Sequence, residues 1–290
     1  MFPRKQLTTR DQFEKLVDIG VLDGFEPATP FISKSTKIVT LGSCFAENVA
    51  ENLSATGYDV FPMTVLDRIF TPYAFKLFAE GMLRDGRIED AVSQNLRVKQ
   101  AHADEMRRVI KDGAVIILTF GFSMDWVDKV TGETILDPAE KHGQAVMLPD
   151  HDRFEMRQMP VADIIDAIFA TVNALRTLNN NNKIVITLSP IPMVYSSCDY
   201  PVVVADCISK SNLRVAIDEI LRARIKDVFY FPSFEIMRWA APIVDLIWFE
   251  DDLQSHIRRD WISYAIWKFR QNFCVEPGTP QIAPFKNPTA

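Results

Sequence analysis

Three runs of apolar and β-branched residues stand out along the chain, at 37–41, 114–120 and 183–188. Each run is nearly continuous rather than alternating, and each is followed by a turn that contains glycine, serine or proline. Continuous apolar runs of this length are typical of strands buried on both faces of a parallel sheet. Shorter runs at 58–61 and 228–231 are closed by proline, which cannot continue a strand ladder, and they predict two further strands.

Segments with apolar residues at helical spacing lie between these strands. The stripe over 161–178 ends at four consecutive asparagines, and similar stripes cover 204–224 and 258–273. Apolar positions from Phe45 onward also follow helical spacing, directly after the first strand. Strands that alternate with helices predict an α/β fold, a three-layer α/β/α sandwich with a five-stranded parallel sheet. In such sheets the functional groups lie beyond the carboxyl ends of the strands.

The two ends of the chain differ from this regular part. Residues 1–35 have mixed polarity and a Pro-rich stretch, and we interpret them as an arm packed on the domain. Residues 36–273 form the domain, and residues 274–290 form a Pro-rich C-terminal tail. The pattern contains no signal that fixes an oligomeric state.

Composition narrows the classes of function. A net charge of −6, without long Lys/Arg runs, gives no electrostatic footprint for nucleic acid. The four cysteines are far apart and form no CxxC pair, which favours a reducing compartment. The sequence has neither the apolar core of a secretory signal at its start nor an apolar run long enough for a membrane span. We therefore expect a cytoplasmic location.

Several polar turns follow the predicted strands. They contain Gly42, Ser43 and Cys44 after the first run, Gly121 and Ser123 after the second, and Ser189 after the third. Because the carboxyl ends of parallel strands share one edge of a sheet, these turns should converge. A further polar group follows the last strand and precedes the last helix: Asp251, Asp252 and His256. A nucleophile in the first turn, Ser43 or Cys44, would therefore come before the acid and the histidine along the chain.

The sequence LGSCFA at residues 41–46 resembles the signature of the GSCFA family. Further blocks that resemble family segments follow in order: RIFTP (68–72), GFSMDWVDKVTG (121–132), TLSPIP (187–192), KSNLR (210–214) and YFPSFE (230–235). Six ordered blocks seldom coincide by chance. The family is related to the SGNH (GDSL-like) hydrolases, so the resemblance implies an SGNH-hydrolase-like sheet with flavodoxin-like strand order.

The resemblance implies roles for the residues of the first turn. In SGNH hydrolases a serine in a Gly-Asp-Ser turn attacks acyl esters, and this register places Cys44 on the nucleophile. A helix N-terminus and a nearby imidazolium would lower the pKa of its thiol. Ser43 remains the rival nucleophile. Structural alternatives are a small apolar filler for Cys44 and a helix N-cap for Ser43.

The remaining site residues are assigned on the same resemblance. His256 is the general base, or alternatively an exposed helix residue, and Asp252 or Asp251 orients it, because residue 253 is Leu where the superfamily has Asp.

Oxyanion or substrate-binding groups are Gly42, Gly121, Ser123, Ser189 and Trp126, and further donors are backbone N–H groups at the Cys44 turn and at Gly57 or another tight-turn residue. Ser123 stands where the superfamily has asparagine, and Met124 where relatives often have an acid. Trp126 could stack on a sugar face, although aromatic residues are usually core.

These assignments predict an ester hydrolase or O-acyltransferase that acts on a carbohydrate or polysaccharide precursor through a covalent acyl-enzyme. No cofactor is required, and acyl-CoA is a possible donor substrate. His142 and His151 lie near carboxylates, but their spacing matches no metal-ligand pattern, so no metal is expected. The alternative is a non-catalytic carbohydrate- or ligand-binding module with a degenerate SGNH site, which the departures at Met124 and Leu253 would suit.

Overall fold

The computed structural model describes residue 7 and residues 9–61, 69–83, 100–136, 141–142, 145–146, 150–244, 257–278, 281 and 283. The helices that we label are α1 (Arg10–Val17), α2 (Cys44–Ala55), α3 (Pro72–Leu83), α4 (Gln100–Asp112), α5 (Val161–Leu178), α6 (Val202–Arg222) and α7 (Arg259–Phe273). The strands are β1 (Lys37–Gly42), β2 (Asp59–Phe61), β3 (Val115–Phe120), β4 (Met124–Asp128), β5 (Thr134–Ile135), β6 (Lys141–His142), β7 (Ala145–Val146), β8 (Phe154–Gln158), β9 (Lys183–Leu188) and β10 (Val228–Phe231). Shorter helical turns are Asp18–Leu22, Ser233–Glu235, Ile236–Ala240 and Ala241–Val244.

The central sheet has five parallel strands in the order β2-β1-β3-β9-β10. Counted along the chain, this order is 2-1-3-4-5, the flavodoxin-like order. The predicted five-stranded parallel sheet is therefore confirmed, and the observed bounds of its strands differ from the predicted ones by no more than a residue at either end. The chain crosses from one side of the sheet to the other between β1 and β3, so the carboxyl ends of these two strands flank the switch point.

Alternate residues of the central strands supply two separate cores. Val39 and Leu41 point to one core, together with side chains from α3, α4, α5 and α6. Ile38 and Val185 point to the other, which also contains side chains from α1, α2, α7 and the helical turns after β10. Helices thus cover both faces of the sheet, which is why its central strands are mostly apolar.

A small antiparallel sheet in the order β5-β4-β8 follows β3, and the hydrophobic pattern did not predict it. Its middle strand has the sequence MDWVD, with two aspartates at buried positions. Aspartate is depleted from strands, so this segment has no strand signature. The helices α3 and α4 were also not predicted.

The described residues that precede β1 pack against the last helix. Lys268 on α7 is almost fully buried, and its Nζ lies 2.8 Å from Glu14 and 2.6 Å from Asp18. Ile32 forms a parallel bridge with Cys274. Over the described part of the chain, no helix combines the length and the apolar character needed to cross a membrane.

Candidate active site

The turn between β1 and α2 brings Cys44 to the carboxyl edge of the sheet. β1 ends at Gly42, Ser43 occupies the N-cap position, and Cys44 is the first residue of α2. Gly42 has a φ of +138°, and a Cβ at this position would lie 2.2 Å from the backbone oxygen of Thr119 on β3. Glycine is therefore required here, because it alone lets β1 and β3 approach closely at the edge that carries the turn.

Ser43 and Cys44 differ in accessibility. The Ser43 hydroxyl is buried and has no hydrogen-bond partner among the residues that the structure describes. It makes no capping bond to α2, so the expectation that this side chain caps the helix is wrong. Cys44 is exposed. Of the two candidate nucleophiles, Cys44 is thus the one that a substrate can reach.

The pKa of the Cys44 thiol is raised, which contradicts the expected depression. Desolvation by surrounding protein atoms is the largest cause, and the carboxylate of Glu47, one helical turn further along α2, adds to it. Hydrogen bonds from the backbone N–H groups of Cys44 and Phe45 and the positive charge of Lys210 lower the pKa, but they are outweighed. A helix N-terminus alone therefore does not produce a thiolate here, and deprotonation needs a base.

Lys210 is a site residue that the sequence did not single out. It lies on α6 and is almost fully buried, and its Nζ donates to the backbone oxygens of Gly121 (2.6 Å) and Ser189 (2.8 Å). The lysine therefore ties together the turns that follow β3 and β9. Burial lowers its pKa to about 7, and Cys44 is among the groups that interact with it electrostatically.

The strand-end residues predicted as substrate-binding are held largely by the protein itself. The Ser123 hydroxyl contacts Ser209 (3.1 Å to its backbone oxygen) and Gln158 (3.3 Å), and the Ser123 N–H donates to the Ser209 hydroxyl. The Ser189 hydroxyl accepts the N–H of Ile191. The Gly121 N–H donates to the backbone oxygen of Phe70 at 2.7 Å. These residues fix the shape of the edge, and their contact with a substrate stays a prediction.

Gly57 was proposed as an oxyanion donor, and this is wrong. It lies in the turn between α2 and β2, and its N–H donates to the backbone oxygen of Ser54. Because β2 runs parallel to β1, the start of β2 is at the edge opposite Cys44. Trp126 is half-buried on β4, with its ring 6.1 Å from that of His151.

The predicted base and its orienting acid, His256 with Asp252 or Asp251, lie outside the described residues. The convergence of His256 with Cys44 therefore remains a prediction.

Asp125 on β4 is a second ionisable group that the sequence did not single out. The residue is 7% exposed, and its Oδ1 accepts a 2.8 Å hydrogen bond from the Thr71 hydroxyl. Its other oxygen, Oδ2, is buried and has no partner among the described residues. Desolvation raises the pKa of this carboxyl to about 6, although the Thr71 bond opposes the change.

Replacing Asp125 by asparagine should stabilise the protein at neutral pH. A carboxyl that titrates near pH 6 when folded and near 4 when unfolded costs stability above pH 6, by at most about 3 kcal/mol, and costs nothing below pH 4. Thermal unfolding should thus show a higher melting temperature for Asp125→Asn at pH 7.5, and the gain should vanish as the pH falls from 6 to 4.

Asp128 on the same strand provides a matched control. Arg153 binds its carboxylate at 2.8 Å and holds its pKa below the ordinary value. Asp128→Asn should therefore lower the melting temperature at pH 7.5, which is the opposite sign. A loss of stability in Asp125→Asn that does not depend on pH would contradict the buried, ionised carboxylate.

Comparison with known proteins identifies one family. The model of the GSCFA family matches residues 77–269, about two thirds of the chain. Four of the six resembling blocks lie inside this range, whereas the LGSCFA and RIFTP blocks precede it. No curated protein matches the sequence.

Solved structures show a distant likeness. A carbohydrate esterase family 3 from Talaromyces cellulolyticus has 14% identity and a TM-score of 0.38, over 81% of this chain and 97% of that chain. An acetyl esterase mutant crystallised with acetate ion has 14% identity and a TM-score of 0.37, with the same coverage. A likeness at these scores assigns no activity.

Proposed function

The chain belongs to the GSCFA family, and on that premise we propose that it is an acyl-ester hydrolase or O-acyltransferase with Cys44 as its nucleophile. The observation that carries this proposal is the position of Cys44. An exposed thiol is the first residue of α2, directly after β1, beside the switch point of a flavodoxin-like sheet. Ligands of open α/β sheets bind at that place.

The surroundings of Cys44 suit attack on an ester carbonyl. Proton transfer from the thiol to a base gives a thiolate, which adds to the carbonyl carbon and places negative charge on its oxygen. Collapse of this adduct breaks the ester bond, leaves a thioester on Cys44, and releases the alcohol after protonation. Because the thiol pKa is raised in the free protein, the base is essential, and His256 is our proposal for it.

Two features support stabilisation of the developing negative charge. The backbone N–H groups of Cys44 and Phe45 lie at the N-terminus of α2 and hydrogen-bond the Cys44 thiol, so they are beside the reacting sulfur. The buried ammonium of Lys210 interacts electrostatically with Cys44 and is held in place by two backbone oxygens. Fixed charges in a desolvated site stabilise an oxyanion more effectively than they would in water.

The second half of the reaction decides between the two activities. Water that reaches the thioester gives hydrolysis, whereas a sugar hydroxyl gives an acylated carbohydrate. We propose a carbohydrate or polysaccharide precursor as the substrate, with acyl-CoA as a possible donor and no further cofactor.

An assay with a chromogenic acetyl ester, and separately with acetyl-CoA and a thiol reporter, tests the proposal. With nitrophenyl acetate as the chromogenic ester, we expect release of nitrophenol at a rate that saturates with ester concentration. Release of CoA from acetyl-CoA is expected only if the protein is a transferase or thioesterase. Absence of turnover with both donors, with and without added sugars, would favour the non-catalytic binding module.

A further inference from the structure

A cavity of about 520 Å³ lies beside β4 and includes Asp125 in its wall. The other walls come from α3, through Tyr73 and Lys76, and from β8 and α5, through Arg157 and Asp163. All these lining residues belong to the part of the chain that the structure describes. The volume lies within the usual range for small-molecule sites.

The position of the Asp125 carboxylate distinguishes this cavity. Asp125 is a buried acid, with one oxygen bound by Thr71 and the other without a partner in the described part of the chain. Among the described residues no lysine or arginine forms an ion pair with it, although Arg157 is its cross-strand neighbour, because the Arg157 guanidinium contacts Glu155 instead. A buried carboxylate oxygen without a donor is unfavourable, and a ligand that supplies the donor removes that cost.

The charges around the cavity select the kind of ligand. Lys76 and Arg157 are cationic, whereas Asp125, Asp163 and Asp166 are anionic. An anionic ligand would meet three carboxylates, and a cationic one would meet both basic groups. A neutral hydroxyl both donates to carboxylates and accepts from ammonium and guanidinium groups, so several hydroxyls on one small molecule match this lining.

Short contacts link the cavity to the Cys44 edge of the sheet. The Gly121 N–H, just after β3, donates to the backbone oxygen of Phe70, and the next residue, Thr71, donates to Asp125. On the other side, Gln158 of the cavity wall accepts from Ser123 and donates to the backbone oxygen of Ala205 on α6. The cavity therefore adjoins the segments that leave the carboxyl end of β3.

We infer that this cavity is a binding site for a neutral polyol, such as a sugar ring, in which a ligand hydroxyl donates to Asp125 Oδ2. Lys76 and Arg157 donate to further ligand oxygens. The role of the bound sugar as acyl acceptor or leaving group rests on the proposed function, but its binding does not.

NMR titration of the full chain tests the site with three neutral probes, methyl β-glucoside, methyl β-galactoside and methyl β-xyloside. We expect at least one to bind saturably, with the largest amide shifts at Thr71, Tyr73, Asp125 and Arg157. Asp125→Asn should weaken that affinity about tenfold or more, since it removes a charge-assisted hydrogen bond. Its melting temperature, measured in parallel, separates lost binding from lost fold.

Two further variants sharpen the experiment. Asp128→Asn makes the same substitution on the same strand outside the cavity and should leave the affinity within about twofold at temperatures where it is folded. Cys44→Ala should also bind normally, so a failure of the acyl chemistry leaves this result intact. The inference is overturned if none of the three glycosides binds, if Asp125→Asn binds as tightly as the wild type, or if methylammonium binds at these residues while the glycosides do not.

Discussion

Replacing Cys44 by alanine is expected to lower acyl turnover by about 10⁴-fold or more without unfolding the protein. Removal of a nucleophile abolishes the covalent route, and losses of this size are typical for nucleophiles that act with a base. The side chain is exposed at the first residue of α2, so its truncation leaves no core cavity, and the melting temperature should hardly change. Initial rates with the chromogenic ester and thermal unfolding measure both quantities.

Two comparisons make this result specific. Cys207, the other exposed cysteine among those described, lies on α6, and Cys207→Ala should turn over like the wild type. Ser43→Ala should keep most of the activity and also its stability, because the Ser43 hydroxyl makes no capping bond. An active Cys44→Ala combined with an inactive but folded Ser43→Ala would assign the nucleophile to Ser43.

Replacing Lys210 by methionine is expected to lower kcat/KM by about 10²-fold. Methionine retains the apolar stem of the lysine but removes the charge that interacts electrostatically with Cys44, and loss of one stabilising group at an oxyanion costs about this much. Lys226→Met is a matched control, because that lysine is exposed. Esterase rates of the two variants and of the wild type, compared at equal folded fraction, measure the loss in kcat/KM.

The alkylation rate of Cys44 separates the electrostatic effect of Lys210 from its hydrogen bonds to the turns after β3 and β9. Its ammonium lowers the thiol pKa, and its own pKa of about 7 means that the charge is present below pH 7 and lost above it. In a Cys207→Ser background, iodoacetamide should therefore alkylate Cys44 more slowly in Lys210→Met at pH 6.5, and the two rates should converge above pH 8. Equal alkylation rates at pH 6.5 would mean that Lys210 only holds the turns at Gly121 and Ser189 in place and does not affect the thiol.

The sequence predicts the central sheet well because burial on both faces leaves a strong pattern. The interiors of β1, β3 and β9 are mostly apolar and β-branched, and the proline after β2 and after β10 marks the end of each of these two strands. The small sheet around β4 leaves no such pattern. Its buried aspartates are compatible with a strand only because Thr71 and Arg153, distant in sequence, bind them.

The candidate site, like the fold, can be predicted from the sequence only in part. The strand, glycine turn and helix that present Cys44 are local features, and the motif identifies them. The raised thiol pKa and the buried Lys210 are tertiary features. A lysine in the middle of α6 normally predicts a solvated position, and its burial depends on oxygens at residues 121 and 189, which only the fold brings together.

Trapping of the acyl-enzyme tests the central claim most directly. The wild-type protein is mixed with excess chromogenic acetyl ester, quenched in acid within the first turnovers, and digested for peptide mass mapping. We predict one added acetyl group on the peptide that contains residues 43 and 44, with fragmentation assigning it to the Cys44 sulfur, and no acetyl there in Cys44→Ala. Turnover by the wild type with the acetyl group on Ser43, or with no acetyl group on this peptide, would contradict Cys44 as the nucleophile.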